Sequence, residues 1–284
     1  MSERSNGRHP RGDLGARFLA ATRWVDRAQL LFDRARSELV AGLASDDVLD
    51  RFNDLIYSGA EGYDPGEAGF RAYLFPWEEE VIEHSFPAPP AKILIGGAGS
   101  GRETFALLER GFEVVAFDPS EGLIRLMFKR VTGDLSLEVF RAGYEDLPRL
   151  ASPSGGPPRD IRELGPFDAS VLGWGSYSHL RTRAQRIQTL RSFGEITEGP
   201  IIVSFLHVAG DLHRRAFRRF APIRRRLRAR HGRVEGDAFS IYIGFYHVFD
   251  DAEIRDLADR AGLRVRHLSE ARESWPYAVL EREA

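Results

Sequence analysis

The chain has 284 residues, of which 43% are hydrophobic and 29% charged, and its formal net charge at pH 7 is −2. This length and composition suit a soluble protein with one large domain, or one domain with an appendage. The absence of cysteine excludes disulfides, thiolate zinc sites and a cysteine nucleophile. No apolar run approaches the ~20 residues that span a bilayer, and the polar start lacks the apolar centre of a secretory signal, so we predict a cytoplasmic protein without a membrane partner.

The N-terminal third of the chain has helical patterns. We predict a disordered segment over residues 1–13 and a helical N-terminal cap over residues 14–90. Ser45 is suited to cap a second helix, and Pro76 to begin a third. The apolar face of the first helix consists of Trp24, Ala28, Leu31, Ala35 and Leu39.

Strand and helix patterns alternate regularly from Lys92 onward. Five short apolar segments are predicted strands, at residues 92–96, 112–118, 136–142, 167–173 and 200–206. Such alternation implies a parallel sheet with helices on both faces. A helix beginning at Asp250 and ending at Gly262 precedes two last strands, at about 263–269 and 275–281. We therefore predict an α/β, Rossmann-like, mostly parallel seven-stranded sheet over residues 91–284.

A cluster of glycines, "IGGAGSG" at residues 95–101, follows the first strand. In a doubly wound sheet this turn is where a nucleotide-like cofactor contacts bare backbone, and Gly97, Gly99 and Gly101 leave room for it. Asp118 ends the second strand, where its carboxylate can accept hydrogen bonds from both hydroxyls of a ribose. The dinucleotide fingerprint has its third glycine where this chain has Arg102, which argues against NAD or FAD. The alternative is a turn needed only for tight packing, with Asp118 capping the next helix.

These features resemble the class I S-adenosylmethionine-dependent methyltransferases over roughly residues 90–284. The family has an acidic-x-Gly-x-Gly-x-Gly motif after its first strand, which "IGGAGSG" matches except that Ile95 replaces the acidic residue. The resemblance implies S-adenosylmethionine as the cofactor, with Asp118 on its ribose.

Two further segments extend the resemblance. "AGYEDLP" (142–148) is similar to the family's segment after the third strand, but its adenine-contacting acidic position falls on Gly143, so Tyr144 and Glu145 are the implied substitutes. "FDASVLGWGSYSHL" (167–180) is similar to the fourth-strand motif, whose exit, at Gly173, lines the methionine moiety of the cofactor.

Methyl transfer from a sulfonium depends mainly on positioning, and a general base matters only when the acceptor must lose a proton. His179, just after the fourth strand, is the candidate base, because a neutral imidazole suits that role. The alternative is a histidine that caps the next helix or bonds a loop carbonyl. The candidate acceptor-binding residues, for each of which ordinary packing is the alternative, are Tyr57, Tyr63, Tyr177 and His207, and His247 is a further candidate for the rim of the site.

A basic insert over residues 208–240 contains ten arginines between residues 211 and 236. Three interpretations stay open: a solvated amphipathic helix, a lid that receives an anionic small molecule, and a nucleic-acid surface. The negative net charge argues against the last of these.

Together, these observations predict a methyltransferase that uses S-adenosylmethionine and acts on a small-molecule acceptor, which is anionic if the insert is a lid. We expect no metal site. One alternative is an RNA or protein methyltransferase that docks through the insert. Another is a non-catalytic S-adenosylmethionine-binding protein, consistent with Ile95.

Overall fold

The computed structural model describes residues 11–58, 73–131, 133, 135–151, 157–207, 226, 231–270 and 275–283. Its N-terminal part contains three helices: α1 (Arg11–Leu43), α2 (Asp46–Ser58) and α3 (Pro76–Ser85). Helix α1 begins inside the segment predicted to be disordered, which is therefore helical from Arg11 onward. Helix α2 begins directly after Ser45, and α3 begins at Pro76, as predicted. No helix in the described ranges combines the length and the apolar character needed to cross a membrane.

The rest of the described chain alternates strands with helices. The strands are β1 (Lys92–Gly96), β2 (Glu113–Asp118), β3 (Leu137–Arg141), β4 (Arg149–Leu150), β5 (Arg159–Asp160), β6 (Ala169–Leu172), β7 (Ile201–Ser204), β8 (Leu206–His207), β9 (Asp237–Ser240), β10 (Gly244–Phe249), β11 (Leu263–Leu268) and β12 (Tyr277–Arg282). The helices are α4 (Arg102–Glu109), α5 (Glu121–Phe128), α6 (Ile161–Leu164), α7 (Arg183–Ile196) and α8 (Asp251–Arg260).

Seven strands form the central sheet, in the order β11-β12-β7-β6-β1-β2-β3. All pairings from β7 to β3 are parallel, whereas β12 runs antiparallel to both of its neighbours. The register places Gly96, at the end of β1, beside Phe117 of β2 and Leu172 of β6. The predicted mostly parallel, seven-stranded sheet is confirmed, and the carboxyl ends of β1, β2 and β6 meet at one edge.

The core lies on both faces of this sheet because successive side chains of a strand point in opposite directions. Ile93 and Ile95 of β1 pack with α3, α4 and α5 on one face, and Leu94 packs with α7 and α8 on the other. All three of these side chains are fully buried. Their burial explains why β1 is a continuous apolar run and not an alternating one.

A second, three-stranded sheet in the order β8-β10-β9 holds the N-terminal helices against the domain. Leu49 of α2 forms a small core with Phe239 of β9 and Phe245 of β10. The backbone N–H of Phe239 donates to the Ser37 hydroxyl of α1 at 2.8 Å. This packing places α2 beside β10, next to the edge where the parallel strands end. By contrast, Trp24, on the apolar face predicted for α1, is 70% exposed.

The predicted basic insert over 208–240 is described only in part. Residues 208–225 and 227–230, which carry most of its arginines, lie outside the described residues. Its last four residues are the buried strand β9, so this end of the insert belongs to a packed hairpin with β10.

Candidate active site

The glycine turn after β1 has a backbone that side chains would obstruct. Gly97, Gly99 and Gly101 all have positive φ, at 65°, 58° and 94°. A Cβ on Gly97 would lie 2.6 Å from the Ser176 hydroxyl oxygen, whereas a Cβ on Gly99 would meet no described atom within 4 Å. The absence of a Cβ at Gly97 is therefore needed for packing, and the space over Gly99 opens onto a cavity that Gly97 also lines.

Asp118 lies directly beside this turn. Its Oδ2 accepts the Gly99 N–H at 2.9 Å and its Oδ1 accepts the Ser120 N–H at 2.8 Å. The residue is 6% exposed. Burial raises the pKa of this carboxyl to about 6, although the two backbone hydrogen bonds oppose the shift. Each oxygen keeps a second lone pair, so the ionised carboxylate can accept two more hydrogen bonds.

A cavity of about 420 Å³ extends from the glycine turn to helix α2. Its volume is in the range of small-molecule sites. One end is lined by Gly99, Asp118, Gly143, Tyr144 and Glu145, and the other by Asn53, Tyr57, His179 and Phe245. Gly173, at the exit of β6, also lines the cavity.

Tyr144 is fixed at the cavity wall, and Glu145 is exposed there. The Tyr144 hydroxyl lies 2.7 Å from the Ser176 hydroxyl, and its ring packs edge-on against Phe117 at a centroid distance of 5.6 Å. Burial raises the pKa of Tyr144 above its usual range, so the phenol stays protonated. The ring of Tyr144 and the side chain of Glu145 are both accessible to a ligand that occupies the end near Asp118.

His179 and Tyr57 form a hydrogen-bonded pair at the opposite end. His179 Nδ1 lies 2.7 Å from the Phe245 carbonyl oxygen, and Nε2 lies 3.1 Å from the Tyr57 hydroxyl. A carbonyl only accepts, so Nδ1 carries the hydrogen, and the Nε2 lone pair of the neutral ring points toward Tyr57. Burial lowers the pKa of His179, although the bond to Phe245 opposes this, so the imidazole is neutral at pH 7.

Three of the residues predicted to bind acceptor or line the rim lie elsewhere. Tyr177 is fully buried in the core, stacked on Phe249 at 5.3 Å, and donates to the Arg186 carbonyl at 3.2 Å. It belongs to a 3-10 turn, Ser176–His179, whose first and last residues face the cavity while Tyr177 points inward. His207 bonds to Asp251 at 3.0 Å, outside the described lining of the cavity.

The third is His247, which is fully buried between two carboxylates. Its Nδ1 lies 2.7 Å from Asp237 and its Nε2 lies 3.1 Å from Glu253. The position predicted for His247 at the rim is therefore wrong, because β10 turns this side chain into the protein. Tyr63, a further predicted acceptor-binding residue, lies outside the described residues.

Helix α2 contributes cavity residues that sequence reasoning missed, apart from Tyr57. Asp50, Asn53, Asp54 and Tyr57 all line the cavity, and their spacing of i, i+3, i+4 and i+7 is that of one helical face. Arg181 pairs with Asp50 through both carboxylate oxygens. Asn53 Oδ1 is buried and has no hydrogen-bond partner among the described residues. The sequence signal that could have identified these four residues is a row of polar side chains at helical spacing.

Three residues in the glycine turn and at the start of α4 were also missed. Ser100, Arg102 and Glu103 line the cavity, and each is at most 5% exposed. The Ser100 hydroxyl is buried and has no hydrogen-bond partner among the described residues. Arg102 is ion-paired to both Glu78 and Glu103. The only sequence signal was their position within the glycine turn or directly after it.

Comparison with solved structures supports the fold, whereas comparison with sequences finds no match. No protein-family model matches the sequence, and no curated protein matches it. The CcbJ methyltransferase from Streptomyces caelestis superposes with a TM-score of 0.56 at 16% identity, over 82% of this chain and 98% of that one. A Burkholderia thailandensis 1,6-didemethyltoxoflavin-N1-methyltransferase, with its substrate and S-adenosylhomocysteine bound, gives 0.51 at 18% identity over 85% and 92%. The chain therefore has the class I S-adenosylmethionine-dependent methyltransferase fold.

Proposed function

We propose that the protein is an S-adenosylmethionine-dependent methyltransferase that acts on a small-molecule acceptor. The observation that carries the proposal is the pairing of Asp118 with the open glycine turn, at the edge where the parallel strands end. A buried carboxylate with free lone pairs beside bare backbone suits a ribose diol. The Burkholderia neighbour, which has S-adenosylhomocysteine and a small substrate bound, supports the same assignment.

The residues around the cavity suit this cofactor. Asp118 would accept hydrogen bonds from the ribose hydroxyls, and Tyr144 and Glu145 would flank the adenine. The Ser100 hydroxyl, buried without a partner among the described residues, offers a further hydrogen bond. When bound, S-adenosylmethionine supplies an electrophilic methyl group on a sulfonium. The protein then has to orient the acceptor and exclude water.

Tyr57 and His179 are the proposed acceptor-handling residues. The Nε2 lone pair of neutral His179 can take a proton, directly or through the Tyr57 hydroxyl, from an acceptor O–H or N–H group. The 3.1 Å separation between Nε2 and the hydroxyl is a normal hydrogen-bond length, so the two groups form a connected path for that proton.

The described acceptor end favours an acceptor that brings hydrogen-bond donors. Asp54 lines this end with a carboxylate, whereas Asn53 Oδ1 lies against Gly244 and the Arg181 guanidinium is already engaged by Asp50. An amine or hydroxyl compound can donate a hydrogen bond to the Asp54 carboxylate, whereas a carboxylate would meet like charge. We therefore propose a neutral or basic acceptor in place of the anionic one that a lid function of the insert implied.

The test is transfer of a labelled methyl group from S-adenosylmethionine to a panel of small amines, phenols and carboxylic acids, with transfer RNA and total protein in parallel. We expect label in an amine or hydroxyl compound, and a loss of at least tenfold in Asp118→Ala relative to a matched control, Asp160→Ala, on the remote strand β5. Label in RNA or protein would overturn the small-molecule assignment. Binding of S-adenosylhomocysteine without transfer to any acceptor would indicate a non-catalytic binding protein.

A further inference from the structure

A buried cluster of two carboxylates and one guanidinium lies at the cavity wall. Arg102 Nη1 donates to Glu78 Oε2 at 2.7 Å, and Arg102 Nη2 donates to Glu78 Oε1 at 2.8 Å. Nη2 also donates to Glu103 Oε1 at 2.6 Å. The guanidinium stacks 4.1 Å from the centroid of the Phe75 ring. All three charged residues are at most 5% exposed.

The two carboxylates are not equivalent. Glu78 engages both terminal nitrogens of Arg102, and this bidentate pair already balances the charge of the guanidinium. Glu103 adds a second carboxylate to the same guanidinium, so among the described residues the cluster has one negative charge in excess. A buried excess charge is unfavourable unless a cation accompanies it. In keeping with this, burial raises the pKa of Glu103 to about 7, although Arg102 opposes the shift.

The position of Glu103 indicates where such a cation would lie. Glu103 lines the cavity, whereas Glu78 is not part of its described lining. Glu103 Oε1 is 2.9 Å from the Cβ that Gly173 would carry, so the carboxylate lies against the exit of β6. Position 95, one residue before the end of β1, is a fully buried isoleucine and offers no charge. A ligand that extends from Asp118 past Gly99 toward Gly173 would bring its far end to Glu103.

We propose that Glu103 binds the α-ammonium group of the methionine end of the cofactor, and so supplies from the first turn of α4 the carboxylate that position 95 lacks. The proposal rests on the proposed function, because it assigns a residue to that same cofactor. The ammonium group supplies the positive charge that the cluster lacks, so cofactor binding neutralises it. Glu103 is then a cofactor-binding residue as well as the second ion-pair partner of Arg102.

The test compares S-adenosylhomocysteine with 5′-methylthioadenosine, which keeps the nucleoside and lacks the amino acid. Calorimetric titrations are made with wild type, Glu103→Gln and Glu78→Gln. Glu78→Gln is the matched control, because it removes the same charge from the same guanidinium at a residue outside the described lining. We expect Glu103→Gln to weaken S-adenosylhomocysteine about 10- to 100-fold and 5′-methylthioadenosine less than twofold. Glu78→Gln also removes the excess charge but keeps the Glu103 carboxylate, so it should weaken S-adenosylhomocysteine relative to 5′-methylthioadenosine by a smaller factor than Glu103→Gln does.

An equal change for both ligands in Glu103→Gln would show that Glu103 only supports Arg102, and would overturn the inference. If Glu103→Gln does not fold, the wild type is titrated with S-adenosylhomocysteine lacking its α-amino group. A tenfold or larger loss on deamination supports the ammonium contact, and an unchanged affinity overturns it. Failure of the folded wild type to bind S-adenosylhomocysteine at all would reject the proposed function itself, which is a distinct outcome.

Discussion

Replacing Gly97 and Gly99 separately by alanine should separate a packing role from a binding role. Both residues have φ near +60°, where alanine costs about 1–2 kcal/mol relative to glycine. At Gly97 the new Cβ would also lie 2.4 Å from the Ser176 Cβ, far inside the ~3.5–4 Å at which carbon atoms normally pack. Overpacking of that kind adds about 1–3 kcal/mol. We therefore expect Gly97→Ala to lose about 2–5 kcal/mol of unfolding free energy, and Gly99→Ala only about 1–2.

Binding should show the opposite order among the folded variants. The Cβ of Gly99→Ala meets no described atom within 4 Å and projects into the space where we place the cofactor. Urea unfolding followed by circular dichroism gives the stabilities, and titration with S-adenosylhomocysteine gives the affinities. Gly99→Ala should bind S-adenosylhomocysteine at least tenfold more weakly than wild type. Its free energy of unfolding should fall only by the ~1–2 kcal/mol that the positive φ costs an alanine. Equal destabilisation by the two substitutions would contradict the packing role of Gly97, and unchanged binding by Gly99→Ala would contradict the place assigned to the cofactor.

Three further predictions follow from the site. Burial raises the pKa of Asp118 to about 6 from 3.8, so its ionisation disfavours folding of the ligand-free protein. The wild type should therefore lose about 3 kcal/mol of unfolding free energy relative to Asp118→Asn as pH rises from about 3 to 7, in urea unfolding at each pH, and parallel pH profiles would contradict this. Over the same range S-adenosylhomocysteine binding should strengthen, since the ionised carboxylate is the better acceptor. The variants Tyr57→Phe and His179→Asn should each keep the affinity for S-adenosylhomocysteine within twofold of wild type. Each should slow methyl transfer to an acceptor that loses a proton by about 100-fold or more, because the path for that proton is broken. An equal loss of cofactor binding and of transfer would contradict the acceptor role. Tyr177→Phe should lower the free energy of unfolding by about 1 kcal/mol, because the hydrogen bond to the Arg186 carbonyl is lost, and should leave the methyl-transfer rate unchanged. A slower transfer would indicate that Tyr177 belongs to the active site.

Local sequence patterns were sufficient to predict the strands of the central sheet. Each of its strands begins within two residues of the predicted position, because short apolar runs between breakers are local signals. Pro76 begins α3, and Asp250 accepts the Glu253 N–H at 2.9 Å as the predicted cap of α8. The proximity of Asp118 to the glycine turn followed from sheet topology, which brings the ends of neighbouring parallel strands together.

The remaining features depend on contacts between distant parts of the chain. The β9–β10 hairpin packs on Leu49 of α2, a distant contact that is absent from any local window. His247 of β10 is buried by Asp237, Glu253 and Phe249, which come together only in the folded chain. Tyr177 and His179 are two residues apart, and only the geometry of the 3-10 turn sends one to the core and the other to the cavity. In the sequence, Glu103 has the pattern of an ordinary helical residue. Only the structure shows that its partner, the Arg102 guanidinium, is already paired with Glu78, 25 positions before Glu103.

The most direct test of the central claim is calorimetric titration of the folded wild type with S-adenosylhomocysteine, with NAD titrated in parallel and Asp118→Ala as the variant. We predict micromolar binding of S-adenosylhomocysteine, no binding of NAD, and a loss of about 1–3 kcal/mol of binding free energy in the variant, as expected for a charged hydrogen-bond acceptor. Absence of S-adenosylhomocysteine binding by the folded wild type would show that the cavity is not a site for this cofactor.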